Sequence, residues 1–264
     1  MKKIIVLVLA LMMLAFSACS QETEESVPTY NESGVSQSDI GDEEPPAAEP
    51  IFAETRQEAY SLVMSGIIEK NVFPDGSSAE CFRGEMEDNK FAVCDVDGDG
   101  GEELIIIFTT TDVAGMHGRV YDYDEETGTV VEEWGTSYNV RFLDNGYAIT
   151  ENYHNQTHGE LWPYYLYSYL PETDSYEAIA WVHSRNRDLS EEIGFDYPYD
   201  ADTSDYGEVY YIDEDLSDSS AYEEETPVDI TEYEAWLDSK IGDAKEINVE
   251  YFPITQENIT NQLG

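Results

Sequence analysis

The sequence predicts an α+β domain that is mostly β, an antiparallel meander with helices near its two sequence ends and with barrel- or propeller-like closure left open. Three observations carry this prediction. From Ala79 to about Ile212, aromatic and β-branched segments of period two alternate with turn residues at regular intervals. Before them, Tyr60, Val63, Met64, Ile67 and Ile68 stand at i, i+3, i+4, i+7 and i+8, one apolar stripe of a helix. After them, Thr231 precedes Glu234 by three residues, the spacing of a capping box, ahead of Trp236, Leu237 and Ile241.

Taken in order, the stripe places the first helix over 53–70. Strands are expected at 79–85, 90–95, 103–109, 118–123, 129–134, 139–143, 147–153, 163–170, 176–184 and 208–212. Turns fall at Glu125–Gly128, Asp144-Asn145-Gly146 and Pro171–Ser175. The last two carry residues that accept positive φ or bond locally to their own backbone. A strand at 246–252 and a short helix capped by Thr255 complete the chain.

The N-terminus has a different logic. Lys2 and Lys3 precede an apolar run from Ile4 to Phe16, and the small residues Ser17 and Ala18 follow it before Cys19. The run has 13 residues, whereas a spanning helix needs about 20. A cleaved export signal is therefore expected over 1–19. Phe16-Ser17-Ala18-Cys19 resembles the bacterial lipobox, which implies that Cys19 is lipidated and holds the mature chain on the extracytoplasmic face of the cell membrane. An ordinary signal peptide cut near Ala18 is the alternative. The segment after Cys19 is rich in Glu, Ser, Pro and Ala and has no Lys or Arg. Residues 20–52 are accordingly expected to form a disordered acidic linker, with one folded domain over 53–264.

The chain of 264 residues has a net charge of −46, and loss of Lys2 and Lys3 with the signal takes the mature protein to −48. Such a surface repels nucleic acid and attracts cations. If Cys19 carries a lipid, Cys81 and Cys94 remain outside the cytoplasm. A hairpin turning on Glu87-Asp88 would place them opposite each other, a candidate disulfide, with two buried free thiols as the alternative.

The segment with legible chemistry is Asp95-Val96-Asp97-Gly98-Asp99-Gly100-Gly101-Glu102-Glu103. Carboxylates at loop positions 1, 3, 5 and 9 suit calcium, which takes six to eight oxygens at about 2.3–2.6 Å. Asp95, Asp97, Asp99 and Glu103 are the expected side-chain ligands, the Gly101 carbonyl the expected backbone ligand, and a structural Ca2+ the expected cofactor. A helical EF-hand is excluded, because position 12 is Ile106 and strands flank the loop. A plain polar turn is the simpler alternative.

The spacing resembles the calcium-binding hairpin loop of FG-GAP and integrin-type β repeats, with Glu103 where an Asp is commoner. Phe91 to Gly100 followed by Glu103-Leu104-Ile105-Ile106, together with the ending Pro253 to Ile259, resembles uncharacterised lipoproteins of Gram-positive bacteria. That resemblance covers about a third of the chain and implies no reaction.

Other features point less sharply. His154 and His158 lie four apart without the Glu of a zincin. Trp162, Tyr164, Tyr165, Tyr167 and Tyr169 crowd one strand, as core or as a platform for sugar rings. Asp196 to Glu225 carries twelve carboxylates, with Asp200/Asp202 and Asp213-Glu214-Asp215 as secondary cation candidates. Nucleophile and phosphate-loop motifs are absent, which weighs against an enzyme, although a glycosidase's carboxylate pair has no local motif. The function expected is a calcium-stabilised binding or interaction module whose partner is a glycan or an envelope protein. A carbohydrate-binding or carbohydrate-cleaving protein is the alternative.

Overall fold

A computed structural model describes residues 49–111, 115–152, 159–216 and 226–264. Cys19, the linker up to residue 48, His154, His158 and the end of the acidic segment lie outside them. The elements are helix α1 (Arg56–Lys70), strands β1 (Lys90–Cys94), β2 (Glu103–Phe108), β3 (His117–Asp124), β4 (Thr129–Thr136), β5 (Arg141–Phe142), β6 (Tyr147–Glu151), β7 (Tyr164–Leu170) and β8 (Ser175–Asn186), helix α2 (Arg187–Ile193), β9 (Glu208–Asp213), α3 (Ile230–Ile241), β10 (Phe252–Pro253) and α4 (Gln256–Leu263).

The strands form two five-stranded sheets, ordered β10-β1-β2-β3-β4 and β5-β6-β7-β8-β9. The protein is thus mostly β, as its period-two pattern predicts, and every pairing is antiparallel. Neither sheet closes into a barrel. The meander instead divides between β4 and β5, and the halves pack face to face. Ala92, Ile105, Ile107, Val120 and Trp134 of the first sheet meet Phe142, Ala148 and Tyr176 of the second in a shared core. On the outer face of the first sheet, Tyr60, Val63, Met64 and Ile67 of α1 and Ile259 and Leu263 of α4 cover Phe91, Leu104, Ile106 and Phe108. On the outer face of the second, Tyr233 of α3, supported by Trp236 and Leu237, covers Leu143, Tyr164, Leu166 and Tyr210. The result is four layers: helix, sheet, sheet, helix.

This layering explains why β2 reads as an unbroken apolar run. All six of its residues are buried, because its two faces supply two different cores. Each large side chain buried there contributes about 1.5–3 kcal/mol.

Several boundaries differ from expectation for identifiable reasons. Residues 79–85 form no strand. Glu85 and Asp88 bond each other's backbone around a 3-10 turn at Met86–Asp88, which replaces the expected hairpin. Cys81 consequently packs with the core beneath α1, while Cys94 stands opposite Glu103 and points into the inter-sheet core. Both are free thiols, and the expected pairing of Cys81 with Cys94 is corrected: the sheet lies between them.

The cap of α3 is Asp229, two residues before the expected Thr231. Its carboxylate accepts from the Thr231 and Ser204 amides at 3.0 and 2.8 Å, with Glu232 closing the box. The extra Ser204 donor fixes the choice. Of the segment expected as a strand at 246–252, only Phe252 joins a ladder, in a strand that runs on to Pro253. Ile247, Val249 and Tyr251 still alternate into the inter-sheet core, so the segment crosses from the edge of one sheet to the edge of the other. Pairing also begins before residue 53, since Phe52 bridges Thr129 and the Val130 amide donates to Ile51. Helix α2, capped by Asn186, has too short an apolar pattern to be read from sequence.

Candidate metal centre

The Asp-rich loop joins β1 to β2 at the end of the first sheet. Gly98 and Gly100 adopt φ of 84° and 96°, a region that only glycine enters without strain, and so permit the tight path. The loop is stitched by its own acids. Asp95 accepts from the Gly98 amide at 2.8 Å, Asp97 from the Asp99 amide at 2.9 Å, Asp99 from the Gly101 amide at 2.5 Å and Glu103 from the Val96 amide at 2.7 Å. These contacts each use one oxygen of each carboxylate.

Other elements clamp the loop. Tyr176 of β8 donates its hydroxyl to the Val96 carbonyl at 3.0 Å, and Tyr60 of α1 donates to the Glu102 carbonyl at 2.7 Å. Arg56 of α1 donates to the same carbonyl at 2.8 Å and forms an ion pair with Asp122 on β3. Gly101 lies against that guanidinium: a β-carbon there would sit 2.8 Å from it.

The side-chain ligands expected from sequence fall in two groups that share Asp97, and the second group includes a residue from β4 that was not expected. Ligand oxygens of Asp95, Asp97 and Asp99 lie within 4.8 Å of one another, and so do those of Asp97, Glu103 and Glu133. Glu133 comes from β4 by a β-bulge. Val120 pairs with Trp134 and Tyr121 with Glu132, so Glu133 is the extra residue that opposes nothing. A bulge re-aims a side chain that regular pleating would direct elsewhere. Here it lets Glu133 join the cluster while its neighbour Trp134 fills the core.

The chemistry of this trio is unusual for a protein interior. Asp97, Glu103 and Glu133 are 8%, 1% and 6% exposed. Asp97 Oδ2, Glu103 Oε1 and both Glu133 carboxylate oxygens have no hydrogen-bond partner. A buried polar atom without a partner costs about 1–3 kcal/mol, more if charged. Like charges at the 4.8 Å limit of this cluster repel by about 3.5 kcal/mol at an effective dielectric constant of about 20. Burial first, and then the neighbouring carboxylates, push the Glu133 carboxyl up to about 10. Burial likewise pushes Glu103 up to about 9 against the opposing pull of the Val96 amide, and raises Asp97.

A divalent cation removes each of these penalties. Oxygens around one calcium ion are at most about 4.6–5.2 Å apart, and those of each trio lie within 4.8 Å of one another. All donors are hard oxygens, the set that calcium prefers to softer-ligand metals. The residues present therefore fit the ion that the loop spacing suggests.

The remaining sequence candidates are engaged otherwise. Asp202 accepts from Arg187, Tyr197, Tyr206 and Gly207, and Glu214 accepts from Lys240 and Trp236, so neither has the orphaned oxygens of the loop cluster. Tyr164 is buried under α3 with its hydroxyl 3.1 Å from that of Tyr233. Tyr167 packs on Trp134 at 4.5 Å and Tyr169 on Tyr176 at 5.5 Å, which uses these rings for packing between the sheets; Trp162 is exposed. Among the described residues no helix is long and apolar enough to cross a membrane. Comparison with protein-family models, curated proteins and solved structures returns no match for this chain.

Proposed function

We propose that this chain is a calcium-stabilised binding or interaction module, held on the extracytoplasmic face of the membrane by a lipid on Cys19. The observation that carries the calcium reading is the trio Asp97, Glu103 and Glu133, buried with four oxygens lacking any protein partner. An interior arrangement of this kind is unfavourable without a cation. The ion's role is structural. It ties the β1–β2 loop to β4, joining the ends of strands that otherwise repel through their acids. The proposed location suits the same reading, because a site of modest affinity stays filled where calcium is abundant, and extracellular modules work with dissociation constants of about 10⁻⁴–10⁻³ M.

Isothermal titration of the purified protein with calcium is expected to show saturable binding at neutral pH, and Asp97→Asn is expected to weaken it at least tenfold. Absence of binding at millimolar calcium contradicts the proposal. The anchor is tested separately in cells: Cys19→Ser is expected to move the protein from the membrane fraction to the soluble exported fraction. A membrane-bound Cys19→Ser variant rules out the lipid.

A further inference from the structure

A second acidic trio adjoins the first. Asp122 on β3, Glu133 on β4 and Asp174 in the turn between β7 and β8 bring ligand oxygens within 4.8 Å of one another. Glu133 belongs to both trios and, among the described residues, it is the carboxylate whose two oxygens are both buried and unpartnered, so neither is committed to another protein group. Asp97 and Glu103 each retain a single such oxygen. A lone cation held by Asp97 and Glu103 and bound by Glu133 through one oxygen would leave the other orphaned at a cost of about 1–3 kcal/mol.

The groups around the second trio point the same way. Asp174 receives the Tyr169 hydroxyl proton at 2.7 Å, and Tyr169 also faces Asp97, so one hydroxyl with one proton spans the two trios. Arg56 pairs with Asp122 and is the cation that the structure supplies there. Apart from that ion pair, Asp95 and Asp99 of the loop add further acidic oxygens beside the two trios. Asp122 and Asp174 also line an open basin of about 950 Å³ that Arg56, Asp99 and Glu102 share, which gives an ion direct access from solvent.

We infer that Glu133 is a bridging carboxylate between two divalent cations: an inner one on Asp97 and Glu103, and an outer one on Asp122 and Asp174 at the wall of the basin. The outer ion takes hard oxygen ligands, so calcium fits it as it fits the inner site. Its open coordination positions face the basin, where water or an oxygen ligand completes the shell. The inner ion is enclosed and the outer one exchanges readily. The inference rests on the reading of Asp97 and Glu103 as ligands of the first ion.

Calcium stoichiometry of the whole purified protein, measured by titration calorimetry and native mass spectrometry, tests it. The wild type is expected to bind two calcium ions, Asp174→Asn one, and Asp97→Asn to lose the tighter of the two. Asp174 has φ of 50°, a conformation that asparagine tolerates, and its amide oxygen can still accept from Tyr169, so the variant is expected to fold. Near-ultraviolet circular dichroism matching the wild type checks this. One ion in both wild type and Asp174→Asn, lost in Asp97→Asn, overturns the second site and leaves the first standing. Two ions retained in Asp174→Asn place the second ion elsewhere and also overturn the inference. No bound ion in the wild type removes both readings together.

Discussion

Replacing Trp134 by alanine is expected to lower the unfolding free energy by about 3–5 kcal/mol, the cost of emptying a large aromatic site in a packed interior. Trp134 is buried on β4 and touches the second sheet at three points. Its ring centroid lies 4.7 Å from Tyr176 in a stacked arrangement, 4.5 Å from Tyr167 and 6.3 Å from Phe142. Among the described residues no other side chain of the first sheet makes as many ring contacts across the interface, so its removal leaves a cavity between the two sheets. The damage extends to the candidate metal centre. Tyr176, stacked on Trp134, holds the Val96 carbonyl, and Glu133 is the preceding residue in the chain. Urea unfolding with calcium present measures the loss. Val131→Ala on the same strand, at a position 41% exposed, is the control and is expected to change stability by about 0.5 kcal/mol. A Trp134→Ala loss no larger than the control's would mean that the sheets are not joined through this ring.

Most of the architecture is legible in the sequence because it depends on local periodicity. The α1 stripe predicts the face that packs on the first sheet, and the strand segments between Lys90 and Asp213 fall within a few residues of their observed ends. Division of the meander into two sheets is not legible. It depends on which faces find each other across long sequence separations, as with Trp134 and Tyr176. The expected Cys81–Cys94 pairing failed because it assumed that the period of two continues through 79–94. Glu85 and Asp88 break it by satisfying each other's backbone instead.

The metal centre divides along the same line. Asp95, Asp97, Asp99 and Glu103 are neighbours in sequence, and their spacing alone announces oxygen ligands. Glu133, Asp122 and Asp174 arrive from three other places in the chain. A faint signal for Glu133 does exist: within 129–134 the alternation fails at Glu132-Glu133, where two acids precede a buried tryptophan. Alternation that breaks at a charged pair is the pattern a bulge leaves, but the bulge's position becomes visible only from the β3–β4 register. The tyrosine-rich strand carried the opposite ambiguity. Its composition suits an exposed platform or a core; Tyr164 is buried under α3, and Tyr167 and Tyr169 pack half-buried against the inter-sheet core.

The claim that buried carboxylates here exist to hold a cation is tested most directly by melting the wild type and Glu133→Gln in chelator and in calcium. At calcium one hundred times its dissociation constant, the wild type gains about 2.7 kcal/mol, which for a domain of this size is roughly 5–10 °C. Glu133→Gln is expected to behave in the opposite sense on each side. In chelator it melts above the wild type, because the carboxamide removes an uncompensated buried acid. In calcium it rises by less than half as much, because its one remaining oxygen is a weaker ligand. Equal melting temperatures of the wild type with and without calcium, or a full calcium shift in Glu133→Gln, would contradict the account.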